Sequence, residues 1–113
     1  MAALKSITDE TFMDEITGQT PVLVDFWAPW CQPCRLTGPV LEQLADDLGD
    51  AIKIVKLNVD EHQAVANALQ IQGIPTMILF KDGQAVDGVV GYVPKQKLLE
   101  RLQPHLGTQA ESV

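Results

Sequence analysis

Apolar residues recur along this chain at two different spacings, and the change from one spacing to the other predicts its secondary structure. Short, nearly continuous apolar runs are typical of buried strands, whereas apolar residues three and four positions apart are typical of helices that pack through one face. The first pattern predicts strands at 4–7, 22–28, 52–59, 76–80 and 85–90. The second predicts helices at 9–16, 34–48, 65–69 and 95–106. The expected order is therefore β-α-β-α-β-α-β-β-α.

The ends and faces of the first two helices can also be predicted. Thr8 has the short hydroxyl side chain of an N-cap and is followed by two acids, which favours a helix that begins directly after it. Pro39 lies inside the second helix and predicts a kink there. We expect the apolar stripe of this helix to face the core, through Leu36, Val40 and Leu44.

The order of the elements predicts a mixed sheet in a single α/β domain. A strand, a helix and a second strand in the middle of the chain imply a parallel pair with a right-handed crossover. The last two strands flank Asp82-Gly83, a dipeptide typical of a tight hairpin, so this pair should be antiparallel. Helices are expected on both faces of the sheet. We assign residues 1–106 to this domain and residues 107–113 to a short flexible tail.

Charge narrows the kinds of partner that the chain can have. Its 113 residues include 8 basic and 15 acidic side chains, which gives a net charge of −7. Nucleic acids and anionic membranes require clustered cations, so neither is expected as a main partner. The sequence has no apolar run of about 18 residues that could span a membrane. Residues 1–11 lack the apolar block of a secretory signal, which predicts a cytoplasmic protein, and we expect it to be a monomer.

The only two cysteines, Cys31 and Cys34, lie between a predicted strand and the start of a predicted helix. Residues three apart on a helical turn face the same way, so the two sulfurs can join as a disulfide. The unpaired N–H groups at a helix start favour an anion and would stabilise the thiolate of Cys31. Pro33 suits this first turn because it has no N–H to leave unpaired. The pattern favours a redox-active dithiol.

Three other interpretations of the cysteine pair have less support. Half of a zinc site would need further ligands, and the remaining candidates, His62 and His105, lack the paired spacing of a zinc finger. A purely structural disulfide across so short a loop would remove little entropy from the unfolded chain. A chance pair of buried cysteines does not account for the neighbouring Trp30 and Pro33. We therefore expect no bound metal.

Asp25 is the one carboxyl inside the apolar run 22–28, where a hydrated acid is not expected. Burial disfavours the charged form of a carboxyl and should raise the pKa of Asp25. We therefore interpret Asp25 as a buried acid with a raised pKa. The alternative is a structural ion pair with Lys56, whose strand should lie beside this one. The two can coexist, since Lys56 could tune the acid.

Three segments together resemble the bacterial-type thioredoxin family: Trp27-Ala28-Pro29-Trp30-Cys31-Gln32-Pro33-Cys34, Lys56-Leu57-Asn58-Val59-Asp60 and Gly73-Ile74-Pro75-Thr76. The similarity extends from Ile7 to Leu106. It implies the thioredoxin fold, a central mixed β-sheet flanked by four helices, and the activity of a protein-disulfide reductase. Cys31 would attack a disulfide in a client protein to form a mixed disulfide, and Cys34 would resolve that intermediate. Asp25 would take up and return the proton of Cys34.

The same resemblance implies a client-binding groove beside the cysteines. Pro75 would follow a cis peptide bond and bring the Ile74 backbone next to the cysteines, where it could pair with an extended client segment. Gly91 would leave room for the client, and Trp30 would present a flat exposed surface. The alternatives are an ordinary proline at the start of a strand and a glycine in a bulge or turn.

Four residues are expected to tune the reactivity of the site, namely Trp30, Gln32, Pro33 and Lys56. Gln32 departs from the family, whose common dipeptide between the cysteines is Gly-Pro. These two positions affect the relative stability of thiolate and disulfide, and a shift of about 30 mV changes the redox equilibrium tenfold. The retained Pro33 favours a reductant.

The resemblance also implies partners. A flavoprotein thioredoxin reductase that uses NADPH, or a ferredoxin-linked one, would reduce the oxidised protein, and the electrons would pass to disulfide-containing client proteins. No organic cofactor is expected, because the dithiol itself is the redox group. Two rival functions are an oxidase or isomerase of the same fold, which would differ in potential and compartment, and a binding module, in which the cysteines would be dispensable.

Overall fold

A five-stranded sheet with helices on both faces forms the protein, as seen in a computed structural model that describes residues 3–111 and the side chains of residues 3–106. The strands are β1 (Lys5–Ile7), β2 (Val22–Trp27), β3 (Lys53–Asn58), β4 (Thr76–Lys81) and β5 (Gln84–Val90). The helices are α1 (Phe12–Ile16), α2 (Gln32–Leu48), α3 (Ala64–Ala68) and α4 (Lys95–Glu111), with a short 3-10 turn at Gly49–Ala51. None of the helices described there is long and apolar enough to cross a membrane. The element order is the predicted one.

The sheet is mixed, with the strand order β1-β3-β2-β4-β5. β1 and β2 each pair with β3 in parallel, whereas β4 pairs antiparallel with both β2 and β5. In the hairpin between β4 and β5, Asp82 and Gly83 have φ angles of 54° and 81°, the left-handed conformation that both central residues of a type I′ turn adopt. The predicted parallel pair in the middle of the chain and the predicted hairpin are both confirmed.

β2 lies at the centre of the sheet and separates two apolar cores. Its side chains alternate between the two faces, so Leu23 packs with residues of α2 and α4, while Val24 and Phe26 pack with α1. Burial of both faces accounts for the nearly continuous apolar sequence of this strand. By the same alternation, Asp25 lies on the face that α2 and α4 cover.

The first helix begins later than the sequence predicted. α1 starts at Phe12, and its N-cap is Thr11 rather than Thr8. Thr8 and Thr11 close a turn before the helix, since the backbone N–H of each donates to the hydroxyl of the other, at 3.0 and 3.2 Å. The threonine hydroxyls therefore stabilise this turn instead of a helix start at residue 9.

One position of the predicted apolar stripe of α2 was wrong. Leu36 is 57% exposed. The buried face of the helix runs instead through Cys34, Thr37, Leu41 and Leu44. Residues three, seven and ten positions beyond Cys34 share one face of a helix, so the burial of Cys34 turns Leu36 outward.

The last helix continues beyond its predicted end. α4 extends through Glu111, whereas the apolar spacing that predicted it stops at Leu106. The flexible tail at 107–113 and the domain boundary at residue 106 stay predictions, and residues 112–113 lie outside the described residues.

Candidate active site

The two cysteines lie where β2 leads into α2, as the sequence predicted. Cys31 is the N-cap of α2 and Cys34 lies in its first turn, with their Cα atoms 5.2 Å apart and their sulfurs joined as a disulfide. The backbone N–H of Cys34 donates a hydrogen bond to Sγ of Cys31 at 3.2 Å. Pro33 lies between them at the start of the helix, where its missing N–H leaves no donor unpaired.

The two cysteines differ in electrostatic environment and not in overall burial. Each cysteine residue is 4% exposed. What distinguishes Cys31 is its position at the N-terminus of a 17-residue helix. The helix dipole and the Cys34 N–H would both stabilise a negative charge on its sulfur. In the dithiol form, this geometry therefore favours Cys31 as the thiolate.

A backbone carbonyl approaches the cysteines from the loop before β4. The Ile74–Pro75 peptide bond is cis, as the resemblance implied, and the carbonyl oxygen of Ile74 lies 3.7 Å from Sγ of Cys31. The backbone N–H of Gly91 donates to the carbonyl oxygen of Pro75 at 2.7 Å. The fold therefore places Ile74 and Pro75 next to Cys31. A backbone hydrogen bond connects Pro75 to Gly91, which directly follows β5.

Trp30 provides the exposed aromatic surface that the sequence predicted. Its side chain is 66% exposed, and its indole N–H donates to Oδ1 of Asp60 at 3.0 Å. The guanidinium of Arg35 donates twice to the carbonyl oxygen of Pro29, at 3.2 and 3.1 Å, and so ties α2 to the loop that precedes it. Sequence reasoning did not link Asp60 to Trp30, because no spacing rule joins a side chain to a partner 30 residues away.

Asp25 is buried, as predicted, with only 3% of its surface exposed. Burial raises the pKa of Asp25 to about 7, and the positive charge of Lys56 opposes that rise. Among the described residues, Oδ1 of Asp25 has no hydrogen-bond partner. A buried carboxyl with an unpaired oxygen is costly to ionise, so Asp25 can change its protonation state near neutral pH.

Lys56 lies opposite Asp25 in the register of β2 and β3, but it does not form the ion pair that was the alternative interpretation. Its Nζ lies over the ring of Trp27, 4.9 Å from the ring centroid. Within the part of the chain that the structure describes, no salt bridge joins Lys56 to Asp25. The positive charge of Lys56 opposes the rise in the pKa of Asp25 that burial causes, and the tuning role of the lysine stays a prediction.

His105, one of the two histidines considered as a zinc ligand, is engaged by a carboxylate instead. Its Nε2 lies 3.1 Å from Oδ2 of Asp87. Arg101 also donates to Asp87, and these hydrogen bonds are the main reason that the pKa of Asp87 is lowered to about 2. Among residues 3–106, whose side chains the structure describes, no group of three or more His, Cys, Asp or Glu side chains is placed to hold a metal ion.

Comparison with known proteins decides the family. The family model described as Thioredoxin matches residues 3–104 of this chain. The chain is 50% identical over 107 residues to thioredoxin 1 of Synechococcus elongatus, across 94% of this chain and 100% of that protein. It is 47% identical over 106 residues to the thioredoxin of Bacillus subtilis, across 94% of this chain and 100% of that relative. The chain belongs to the thioredoxin family.

Membership of the thioredoxin family assigns the activity. Disulfide reduction is the function of thioredoxins, and Cys31 and Cys34 are the redox-active pair here, so the protein is a protein-disulfide reductase. The thioredoxin fold that the resemblance implied, a mixed sheet flanked by four helices, is confirmed as well.

The backbone conformation at residue 91 favours a glycine at this position of the thioredoxin. Its φ is 91°, which L side chains rarely adopt, although an added Cβ would meet no atom within 4 Å. We expect Gly91→Ala to lower the free energy of unfolding by about 1–2 kcal/mol because of this strain. Urea denaturation at equilibrium measures the change. Gly18→Ala is the control, since Gly18 has the same open surroundings without a left-handed φ. Equal stabilities of the two variants would show that the conformation at Gly91 imposes no constraint.

Proposed function

We propose that Cys31 attacks the disulfide of a client protein and that Cys34 completes the reaction. The thiolate of Cys31 forms a bond to one client sulfur while the client S–S bond breaks, and the second client sulfur leaves as a thiolate. Cys34, once deprotonated, attacks Sγ of Cys31 and expels the first client sulfur. Two electrons have then passed to the client, and the protein is left with the Cys31–Cys34 disulfide.

The observation that carries this assignment of roles is the hydrogen bond from the Cys34 N–H to Sγ of Cys31. A sulfur that accepts a hydrogen bond from an N–H group at a helix N-terminus is stabilised as a thiolate, and the thiolate is the attacking species. Cys34 supplies that N–H and is the third residue of α2, in the same turn as Cys31, so its own sulfur is placed to attack Cys31 once the mixed disulfide has formed.

We assign Asp25 as the group that accepts the proton of Cys34. The alternation along β2 supports this assignment, because it puts Asp25 on the side of the sheet that α2 covers, and Cys34 is on the buried face of α2. A carboxyl whose pKa is about 7 is both available and basic enough to take a proton at neutral pH. Lys56 keeps this pKa below the value that burial alone would give.

We assign client binding to the surface formed by Trp30, Ile74, Pro75 and Gly91. The carbonyl of Ile74 lies beside the reacting sulfur, so an extended client segment that pairs with this backbone would place its disulfide at Cys31. Gly91 leaves the space at the end of β5 open, and Trp30 offers an exposed ring against which the client can pack.

For the complete cycle we propose a monomer in the cytoplasm that thioredoxin reductase returns to the dithiol state with electrons from NADPH. Disulfide-containing proteins are its clients. The net charge of −7 disfavours nucleic acids and anionic membranes as partners. The dithiol carries both electrons, so the cycle needs no bound cofactor, and Gln32 and Pro33 would set the reduction potential.

NADPH consumption tests the proposal. A catalytic amount of the protein is mixed with NADPH, thioredoxin reductase and an excess of insulin as the disulfide client. We expect rapid loss of NADPH with the wild-type protein and only the background rate with Cys31→Ser. A Cys31→Ser variant as active as wild type would overturn the assignment. If neither protein consumes NADPH, equilibration in dithiothreitol buffers separates the causes: a reducing potential points to a ferredoxin-linked donor, and an oxidising one rejects the reductase cycle.

A further inference from the structure

A carboxylate from the beginning of the chain caps the helix beside the active site. The two carboxylate oxygens of Asp9 accept hydrogen bonds from the backbone N–H groups of Ala64 and Val65, each at 3.1 Å. These residues open α3, and their N–H groups have no partner inside the helix. Asp9 therefore caps α3. It does not lie in the first turn of α1, where the sequence predicted it.

The turn that presents Asp9 is itself held by hydrogen bonds. Thr8 and Thr11 on either side of it exchange amide-to-hydroxyl bonds, and the N–H of Thr11 also donates to the carbonyl of Thr8 at 3.2 Å. Asp9 thus projects from an ordered turn, which restrains the position of its carboxylate at the start of α3.

α3 forms one wall of a groove next to Cys31. The groove has a volume of about 270 Å³, and Ala66 and Asn67 of α3 line it together with Trp30 and Ile74. Ile74 is the residue whose carbonyl lies beside the reactive sulfur. A helix of five residues is too short to be stable by itself, so the position of this wall depends on contacts at its ends.

We propose that Asp9 is a positioning residue for client binding, because its cap holds the α3 wall of the groove in which a protein client docks. The inference rests on the proposed function, in which Trp30 and Ile74 bind the client. A small disulfide reaches Cys31 without filling the groove. Asp9 should therefore affect the reduction of protein disulfides and leave the reduction of small disulfides unchanged.

Single-turnover reactions of the reduced protein test this selectivity. Insulin is the protein disulfide and bis(2-hydroxyethyl) disulfide is the small one, and thiol alkylation after an acid quench gives each rate constant. For Asp9→Ala we expect the insulin rate constant to fall about fivefold, the factor that a helix cap typically contributes to a local equilibrium. Asp9→Asn keeps one acceptor oxygen, so its insulin rate constant should lie between those of the wild type and Asp9→Ala. Asp14→Ala removes the same charge from an exposed position of α1 and should change neither rate.

Hydrogen exchange gives a second readout that does not depend on activity. In Asp9→Ala the amides of Ala64 and Val65 should exchange faster, while that of Cys34 should not change. Equal losses of rate with both disulfides would overturn the proposal, since they would place the effect on Cys31 itself or on global folding. An unchanged insulin rate would overturn it as well. If the wild-type protein reduces the small disulfide but not insulin, the proposed client function has failed, which is a separate result.

Discussion

Cys34→Ser is expected to trap the protein on its client as a stable mixed disulfide. The substitution keeps Cys31 and the backbone N–H of residue 34 that donates to its sulfur, so the first attack persists. A serine hydroxyl does not replace the thiolate that resolves the intermediate, and only an external thiol can then release the client. We expect turnover to fall by at least about a thousandfold, the scale of loss when a nucleophile is removed.

The trapped complex can be detected directly. The reduced variant is incubated with insulin, free thiols are blocked by alkylation, and non-reducing electrophoresis with mass spectrometry shows whether a covalent adduct has formed. Cys31→Ser is the matched control, because it removes one sulfur of the same pair but leaves the sulfur inside α2. It should give little adduct. A stronger adduct from Cys31→Ser than from Cys34→Ser would reverse the two roles.

This experiment also tests what determines the order of attack. Both cysteine residues are 4% exposed, so overall burial does not distinguish them. If Cys31 alone forms the adduct, the choice comes from the helix N-terminus, where Cys31 is the N-cap and accepts the N–H of Cys34. Reactivity here then depends on the electrostatic environment of each sulfur.

Local patterns were sufficient to predict the elements of the fold and the buried acid. The apolar spacing predicted the five strands, and Asp82-Gly83 predicted the hairpin turn. The position of Asp25 inside an apolar strand predicted both its burial and its raised pKa. In each case the information lies within a few residues along the chain, because side-chain alternation and turn conformation are local properties.

Contacts between distant segments could not be predicted in this way. Asp9 and Ala64 are 55 residues apart, and the chemistry of a carboxylate does not reveal which of many backbone N–H groups it will meet. Leu36 shows a different limit. An apolar stripe can be drawn along two adjacent faces of α2, and only the burial of Cys34 shows which face turns to the core.

Asp25→Ala is expected to stabilise the folded protein above neutral pH while slowing its turnover. Folding raises the pKa of Asp25 from 3.8 to about 7, so the folded state binds more protons than the unfolded state between these values. The stability that the neutral carboxyl contributes is complete below about pH 4 and is lost as the pH rises through about 7. A difference of about three pH units, at about 1.4 kcal/mol each, makes the ionised carboxyl destabilising by about 4 kcal/mol.

Alanine removes this cost but leaves a small void, so we expect a net gain of about 2–3 kcal/mol at about pH 8 and none at about pH 4. Urea denaturation at the two pH values measures the gain. Asp87→Ala is the control: the pKa of Asp87 is lowered to about 2, so its contribution is present above about pH 4, and the loss of stability in this variant should be nearly the same at both pH values. Turnover of Asp25→Ala should fall about a hundredfold, the lower end of what acid–base catalysis contributes. A gain in stability that is the same at both pH values would reject the buried-acid explanation, because packing effects do not titrate.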